Sequence, residues 1–402
     1  MKILKIWDSE YPWDVRAEKV MLSLSRGGHD VHLVARNRKR QPLVEELPEA
    51  TVHRLAPWRF GGAGLDALSQ FPAFMNPRWM SHVHRTGRRI QADVIVVRDL
   101  PLTPTAVWAG RRLGVPVILD MAENYPAMIR DIWLGGRQGR LDFLVRNPRL
   151  VAKVEDWSVK AVDHTVVVVE ESGERLVEMG VAPDRVTVVC NTPLPARIPG
   201  DDAVARHEAD GSLRLVYLGL LEKPRGLEAV LDGMALLREE SIPVELDIIG
   251  GGMDDLLFRN RAEALGFDSD TIRFHGVLPY EEALAVFSHS HVGLVPHLAV
   301  ESWNTTIPNK LFDYWSHGLP VVTSDARPAA RIVREVGAGH VFRSDEPGDF
   351  ARAIRQLRDP GERARMAEKG RRAVLSKYNW SVDETHLLDA VAKTVRRYRD
   401  ER

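Results

Sequence analysis

The chain has 402 residues, 44% hydrophobic and 28% charged, enough for two domains that each bury a core. Its 55 Lys and Arg against 56 Asp and Glu leave a net charge of −1, which gives no support to nucleic-acid binding. The single cysteine, Cys190, excludes an internal disulfide and a cysteine-ligated zinc site, and fits a reducing cytoplasm.

The opening residues Met1–Trp7 are too short and too charged for a signal peptide and read as a first strand. No run approaches the roughly 18 apolar residues of a membrane span. The expectation is a cytoplasmic protein, with peripheral attachment to the inner face of the cytoplasmic membrane left open. After the first strand, Asp8–Arg16 is acidic and aromatic. Tyr11, Trp13, Asp14 and Arg16 suit a sugar-containing acceptor, or form a packed surface loop. The loop has no G-x-G-x-x-G fingerprint, which argues against a nicotinamide or flavin dinucleotide.

Further strands are predicted at Val31–Val34, Val94–Val97, Val117–Leu119, Val166–Val169 and Val186–Val189, with helices such as Ala17–Ser25 and Pro104–Leu113 between them. Short apolar strands alternating with helices imply a parallel sheet covered on both faces. Residues 57–89 interleave Trp58, Phe60, Phe71, Phe74, Met75, Trp79 and Met80 with five arginines. That mixture suits an anionic membrane surface, or a helical flap over the sheet. Asp99 follows one predicted strand, and Glu123 and Asn124 follow the next. Polar groups at strand carboxyl ends are candidates for substrate contact, and here also for helix capping.

From residue 193 to 212 the chain changes character, with prolines at 193, 195 and 199, aspartates and no apolar periodicity, and residues 196–212 read as a linker after a first domain of residues 1–195. A second α/β series follows over 213–380. Its strands are predicted at Leu213–Leu218, Val244–Ile249, Ile272–Phe274, Val292–Val295, Val321–Thr323 and His340–Phe342, and a charged helix closes the chain over 381–402. The first strand runs into Gly219, followed by Lys223 and Arg225 ahead of a helix. Cations at a strand-to-helix loop are placed for a diphosphate, or are simply solvated.

The block 304–325 reads as a polar loop, a capped helix and a buried strand. Thr305 and Thr306 are N-cap candidates, with Pro308 in the first helical turn. The start of this helix, with Asn309 and Lys310, would suit phosphates, and Asp313 one turn on would offer a carboxylate to hydroxyls.

This block resembles the donor-binding signature of the retaining glycosyltransferases of family 4, in the variant S/T-x-P-x-K-x-x-E-Y. The chain matches at Thr305, Pro308, Lys310 and Tyr314, with Asp313 for the usual Glu. The resemblance implies a GT-B architecture, two Rossmann-like doubly wound domains facing a central cleft, with the last helix returning to the first domain after Tyr378-Asn379-Trp380. It implies that Asp313 holds the donor ribose and that the Thr305 region holds the donor sugar. It also places His275 and Gly276 beside the nucleotide base. Two departures stand out: Thr305 occupies a position that is more often Glu, and Ala122 one that is more often His.

The function implied is transfer of a sugar from a nucleoside-diphosphate sugar to a saccharide or lipid-linked acceptor, with retention. No cofactor beyond the donor and no metal is expected, provided that Arg225, Lys310 and the helix start stabilise the leaving diphosphate. Asp99 and Glu123 are the candidate catalytic groups, and polysaccharide or envelope synthesis is the expected setting. A GT-B protein that binds nucleotide sugars without turnover, and a sugar-nucleotide epimerase of the same architecture, are the alternatives.

Overall fold

The structure, a computed structural model, describes residues 1–12, 14–57, 74–134, 147–200, 204 and 211–402. It divides into two compact units, one of residues 1–190 with 383–402 and the other of residues 191–382.

In the first unit the order is β1 (Lys2–Glu10), α1 (Val15–Arg26), β2 (Asp30–Arg36), β3 (Val44–Glu46), β4 (Thr51–Arg54), α2 (Pro77–Ile90), β5 (Val94–Arg98), α3 (Thr103–Leu113), β6 (Val117–Met121), α4 (Tyr125–Leu134), α5 (Pro148–Ala161), β7 (His164–Val167), α6 (Glu170–Glu178) and β8 (Val186–Val188). The strands lie in the order β3-β4-β2-β1-β5-β6-β7-β8, parallel except for the β3–β4 pair. Ile3–Ile6 of β1 pair with Val31–Val34 on one side and Val94–Val97 on the other. The centre of the sheet is therefore mostly Ile, Leu and Val, as a helix-covered parallel sheet requires, with Lys5 of β1 and Asp120 of β6 as a buried charged pair within it. β3 and β4 have no counterpart among the predicted strands. β3 is a short, mostly exposed edge, and β4 carries His53 and Arg54, which are buried through polar partners.

The second unit runs β9 (Leu213–Leu218), α7 (Leu227–Glu239), β10 (Val244–Ile249), α8 (Asp255–Ala264), β11 (Ile272–Gly276), α9 (Tyr280–Ser288), β12 (Val292–Val295), α10 (Lys310–Ser316), β13 (Val321–Ser324), α11 (Arg327–Val336), β14 (Gly339–Phe342), α12 (Pro347–Gln356) and α13 (Pro360–Ser376). Its sheet is parallel, in the order β11-β10-β9-β12-β13-β14. The order reverses beside β9, so the loops after β9 and β12 diverge around a switch point where α/β sheets bind ligands. Gly293 in β12 sets how closely α10 approaches: a Cβ there would lie 2.3 Å from the Tyr314 ring. With that space open, the Tyr314 hydroxyl accepts a hydrogen bond from the Leu218 N–H at 2.8 Å, tying α10 to the carboxyl end of β9.

The last helix, α14 (Trp380–Asp400), begins in the second unit and continues in the first. Tyr378, just ahead of it, stacks on Phe312 with centroids 5.2 Å apart. Within the first unit, Asp383 accepts from the Cys190 N–H at 2.8 Å. At the far end, Arg397 pairs with Asp184 at 3.2 Å and Arg402 donates to the Gly114 carbonyl at 3.1 Å. Among the described residues, no helix is long and apolar enough to cross a membrane.

Of the proposed membrane segment, Trp58, Phe60 and Phe71 lie outside the described residues. Trp79 is buried in the core of the first unit, and Phe74 packs on a cluster of Leu100, Ile129 and Val151. The reason is spacing: Trp79, Val83, Thr86 and Ile90 share the buried face of α2, leaving Arg85, Arg88 and Arg89 exposed.

Candidate functional site

In the second unit, Gly219 ends β9 and Lys310 opens α10, and the two meet. A Cβ on Gly219 would stand 2.6 Å from the Lys310 Nζ, so glycine leaves the space that the ammonium fills. Lys310 is only 8% exposed, lies 4.0 Å from the centroid of the Tyr217 ring, and among the described residues its Nζ has no hydrogen-bond partner. Burial, then the charge of Arg225, pushes its pKa well below the ordinary lysine value, against a smaller opposing effect of Asp313. A buried ammonium without a partner costs several kcal/mol unless an anion answers it.

Arg225 belongs to the single turn Lys223–Arg225 that ends at Gly226. Gly226 adopts φ +73°, and a Cβ there would lie 1.8 Å from the Pro296 carbonyl oxygen, so only glycine fits. The Leu298 N–H donates to the Pro224 carbonyl at 3.0 Å and locks the two loops together. Lys223 is exposed, and its N–H is held by Asp254 at 2.8 Å. Asp254 therefore anchors the cation-bearing loop and does not cap α8 through its side chain.

The helix start differs from the sequence expectation. Thr305 ends a short 3-10 turn, Trp303–Thr305, and its hydroxyl donates to the Glu301 carbonyl at 3.1 Å. α10 begins only at Lys310, behind an exposed Asn309 that makes no side-chain cap bond. Neither Thr305 nor Thr306 caps it, because the residues between them and Lys310 are extended or turned. With seven residues, α10 also offers little dipole. The positive character of this corner rests on Lys310 and Arg225. Thr305 and Thr306 are both buried, and Asp313 is half-buried one turn after Lys310.

His275 sits at the end of β11, where its ring bonds Asp247 at 2.6 Å. The neighbouring Gly276 carbonyl accepts from Gly250 at 2.7 Å. The His275 side chain is thus engaged by the sheet, leaving backbone groups as the means by which this segment would meet a base.

In the first unit, the predicted acceptor and catalytic residues gather at the carboxyl ends of β1, β5 and β6, several of them in the packing and capping roles that the sequence offered as alternatives. Arg16 is buried and forks onto Asp120 with bonds of 2.9 and 2.8 Å, adding a third to the Val189 carbonyl at 3.0 Å. Lys5 reaches the other Asp120 oxygen at 3.1 Å. Burial alone would raise the Asp120 carboxyl, but Arg16, Lys5 and Arg98 outweigh it and hold the group far below the usual range. Arg16 is therefore part of an internal ion cluster, not an acceptor contact. Tyr11 is also internal, at 1% exposure, with its hydroxyl on Glu49. Trp13 lies outside the described residues.

Asp14 caps α1 through the Ala17 N–H at 2.7 Å and pairs with Arg98 at 2.9 Å. Asn124 is buried and accepts from the Ala127 N–H at 3.2 Å, which starts α4. Asp99 adopts φ +56°, unusual for a non-glycine residue, and its Oδ1 accepts from the Ala122 N–H at 2.9 Å. Burial raises its pKa, partly offset by Arg98 and by that N–H. Glu123 is exposed on the same turn. Ala122, which replaces the histidine expected by resemblance, contributes its backbone N–H to Asp99 and no polar side chain.

Two residues at the Arg225 corner were missed by sequence reasoning. His297 follows β12, and Trp303 opens the 3-10 turn; both adjoin Arg225. Lone residues in a loop carry no spacing signal, so only the fold could bring them forward.

A family model described as Glycosyl transferases group 1 matches residues 212–359, and one described as Glycosyl transferase 4-like domain matches residues 14–192. The chain is 28% identical to a phosphatidyl-myo-inositol mannosyltransferase of Mycobacterium leprae over 43% of this chain and 45% of that protein. It is 25% identical to a glycogen synthase of Mycobacterium tuberculosis, covering 75% of this chain and 68% of that one. It is 27% identical to a D-inositol 3-phosphate glycosyltransferase of Nocardia farcinica, over 59% and 54% respectively. The alignments thus span about half of the mannosyltransferase and the inositol 3-phosphate enzyme.

Among solved structures, sucrose-phosphate synthase from Thermosynechococcus elongatus superposes with a TM-score of 0.72 at 16% identity, over 98% of both chains. Anabaena Alr3699/HepE in complex with UDP and glucose gives 0.70 at 14%, over 98% of this chain and 100% of that one. At such identities the likeness speaks for the fold alone. The two family models between them cover both α/β units, and the chain belongs to the family 4, group 1 glycosyltransferases, with the GT-B fold.

Proposed function

We propose that the protein transfers a sugar from a nucleoside-diphosphate sugar to a saccharide or lipid-linked acceptor, with retention of configuration and without a divalent metal. The observation that carries this reading is the buried, unpartnered Lys310 ammonium beside Arg225, two cations held where a diphosphate would answer them. As the bond to the sugar breaks, negative charge builds on the leaving diphosphate, and preformed cations in a water-poor corner stabilise that charge without reorganising. Asp313, one turn beyond Lys310, is the proposed ribose ligand, and the Thr305 region is proposed, by resemblance, to hold the donor sugar. The HepE complex with UDP and glucose favours a UDP-sugar as the first donor to try.

On the acceptor side, Glu123 is the exposed carboxylate of the β6 turn. Asp99 is proposed to act through the Ala122 N–H that it holds, as a positioning group for that turn. The test is a screen of UDP-, GDP-, ADP- and dTDP-sugars by thermal shift and nucleotide release, with and without EDTA. One donor is expected to bind and to be consumed with the chelator present. No binding by any of them would defeat the transferase reading, and binding without turnover on any acceptor would favour a non-catalytic nucleotide-sugar receptor. Asp313→Ala is expected to weaken the donor by about 1.5–3 kcal/mol, roughly ten- to a hundred-fold, the range for hydrogen bonds to a charged group. Unchanged affinity would remove the ribose role.

A membrane-borne acceptor would bring an anionic surface to the protein, and Arg85 and Arg88 on the exposed face of α2 are the groups proposed to meet it. Flotation with vesicles containing anionic lipid should then fall in an Arg85→Glu/Arg88→Glu variant. Equal flotation of the two proteins would remove this contact.

A further inference from the structure

Some arginines of the second unit are satisfied by carboxylates, Arg261 by Asp232 and Arg273 by Asp247 and Glu245, and others by backbone carbonyls, Arg238 by those of Gly266 and Leu265. Among the described residues Arg225 has no such partner. Its Nη1 instead donates to the Nε2 of His297 at 3.1 Å, and its guanidinium carbon lies 4.5 Å from the centroid of the Trp303 ring. His297 is 1% exposed and packs on the same tryptophan, with ring centroids 4.2 Å apart.

The hydrogen bond determines the state of the imidazole. Arginine has only donors and keeps its proton, so Nε2 must present its lone pair and the ring proton sits on Nδ1. Among the described residues the Nδ1 atom has no partner of its own. Burial of the ring inside the fold, and then the charges of Lys310 and Arg225, disfavour a second proton. Its backbone is held as well: the Ser324 hydroxyl donates to the His297 carbonyl, and Leu298 is bonded to Pro224.

A neutral acceptor differs from a carboxylate in its consequence for an anion. A carboxylate on Arg225 would orient the guanidinium but cancel its charge, and a diphosphate would then compete with it. Imidazole and indole fix the edge and the face of the guanidinium and leave the full positive charge in place. We propose that His297 and Trp303 are positioning residues that hold Arg225, uncompensated, for the diphosphate of the nucleotide donor. This rests on the transferase reading above.

The test uses the full chain and whichever of UDP, GDP, ADP and dTDP the wild type binds, with Kd by calorimetry and Tm for each variant. His297→Phe keeps the ring and removes the acceptor, and is expected to weaken the diphosphate about ten-fold or more, the scale of one lost charge-assisted hydrogen bond. His297→Gln, whose amide oxygen reaches the place of Nε2, should restore binding to within about three-fold, whereas His297→Asn, with its acceptor at the place of Nδ1, should not. In an Arg225→Ala background, His297→Phe should add almost nothing, since the histidine acts only through the arginine.

Wild-type affinity in His297→Phe, or a full additional loss on top of Arg225→Ala, would overturn the proposal while leaving the transferase reading intact. If the wild type binds none of the four nucleotides, the transferase reading fails and the positioning role falls with it. Should His297→Phe fold poorly, the contrast between Gln and Asn decides alone, with Gln no better than Asn counting against the role.

Discussion

Lys310→Met is expected to make the protein more heat-stable and, in the same variant, to abolish tight binding of nucleoside diphosphates. The Lys310 ammonium is buried, lacks a hydrogen-bond partner, and has Arg225 as a second positive charge acting on it. Methionine has similar length and adapts to an irregular pocket, so it removes the charge without opening a cavity. Replacing a buried charge in this way is often stabilising by about 1–4 kcal/mol. For a unit of this size that corresponds to a rise in Tm of roughly 2–4 °C per kcal/mol. Truncating one partner of a desolvated charge pair costs about 2–5 kcal/mol, so Kd for the diphosphate should rise roughly thirty-fold or more.

The same lysine gives pH signatures. Its folded-state pKa lies well below the ordinary 10.5, so between the two values the unfolded chain binds more protons than the folded one. Wild-type stability should therefore rise with pH across that window, and Lys310→Met should lack this slope. A bound diphosphate favours the charged ammonium, so at pH values around and above the depressed folded-state pKa binding should take up protons and weaken as pH rises. Calorimetry in buffers of different ionisation enthalpy measures that uptake. A Lys310→Met protein less stable than wild type, or diphosphate binding with no proton uptake, would show that Lys310 is already satisfied.

Asp120→Asn is expected to produce the largest loss of stability in the first unit. Asp120 is fully buried, receives two bonds from Arg16 and one from Lys5, and has Arg98 acting on it as a third cation. The amide keeps the shape but removes the negative charge, leaving two buried cations facing each other. Breaking a buried pair in this way costs about 3–5 kcal/mol. Its pKa is depressed in the fold, so its contribution is complete above the ordinary carboxylate pKa and is lost only in strong acid. Denaturant unfolding of the full chain should show an early transition in Asp120→Asn. A midpoint shift equivalent to less than about 1 kcal/mol would mean that Arg16 and Lys5 find other partners.

Much of the architecture was legible because parallel strands buried on both faces are continuous apolar runs. The runs at Val244–Ile249 and Val292–Val295 coincide with β10 and β12. β4 escaped because Thr51-Val52-His53-Arg54 is polar, and its burial depends on partners elsewhere. The Arg54 guanidinium donates to the Tyr11 carbonyl at 3.0 Å and to the Pro42 carbonyl at 2.8 Å. The Thr305 and Thr306 caps failed for a local reason: a 3-10 turn and an extended stretch delay α10 to Lys310.

By itself, the sequence determined two α/β units through local pattern and spacing, pointed to the family through the resemblance of its 304–325 block, and set Arg225 in a strand-to-helix loop and Lys310 at a helix start. The tertiary structure decided which charged groups are spent inside the fold and which are held open. Arg16, read as an acceptor contact, is consumed by Asp120, 104 positions away, whereas Arg225 is held by His297, 72 positions away, without losing its charge. A charge's availability depends on its burial and on its partner's chemistry. Both are set by long-range packing, for which a one-dimensional pattern carries no signal.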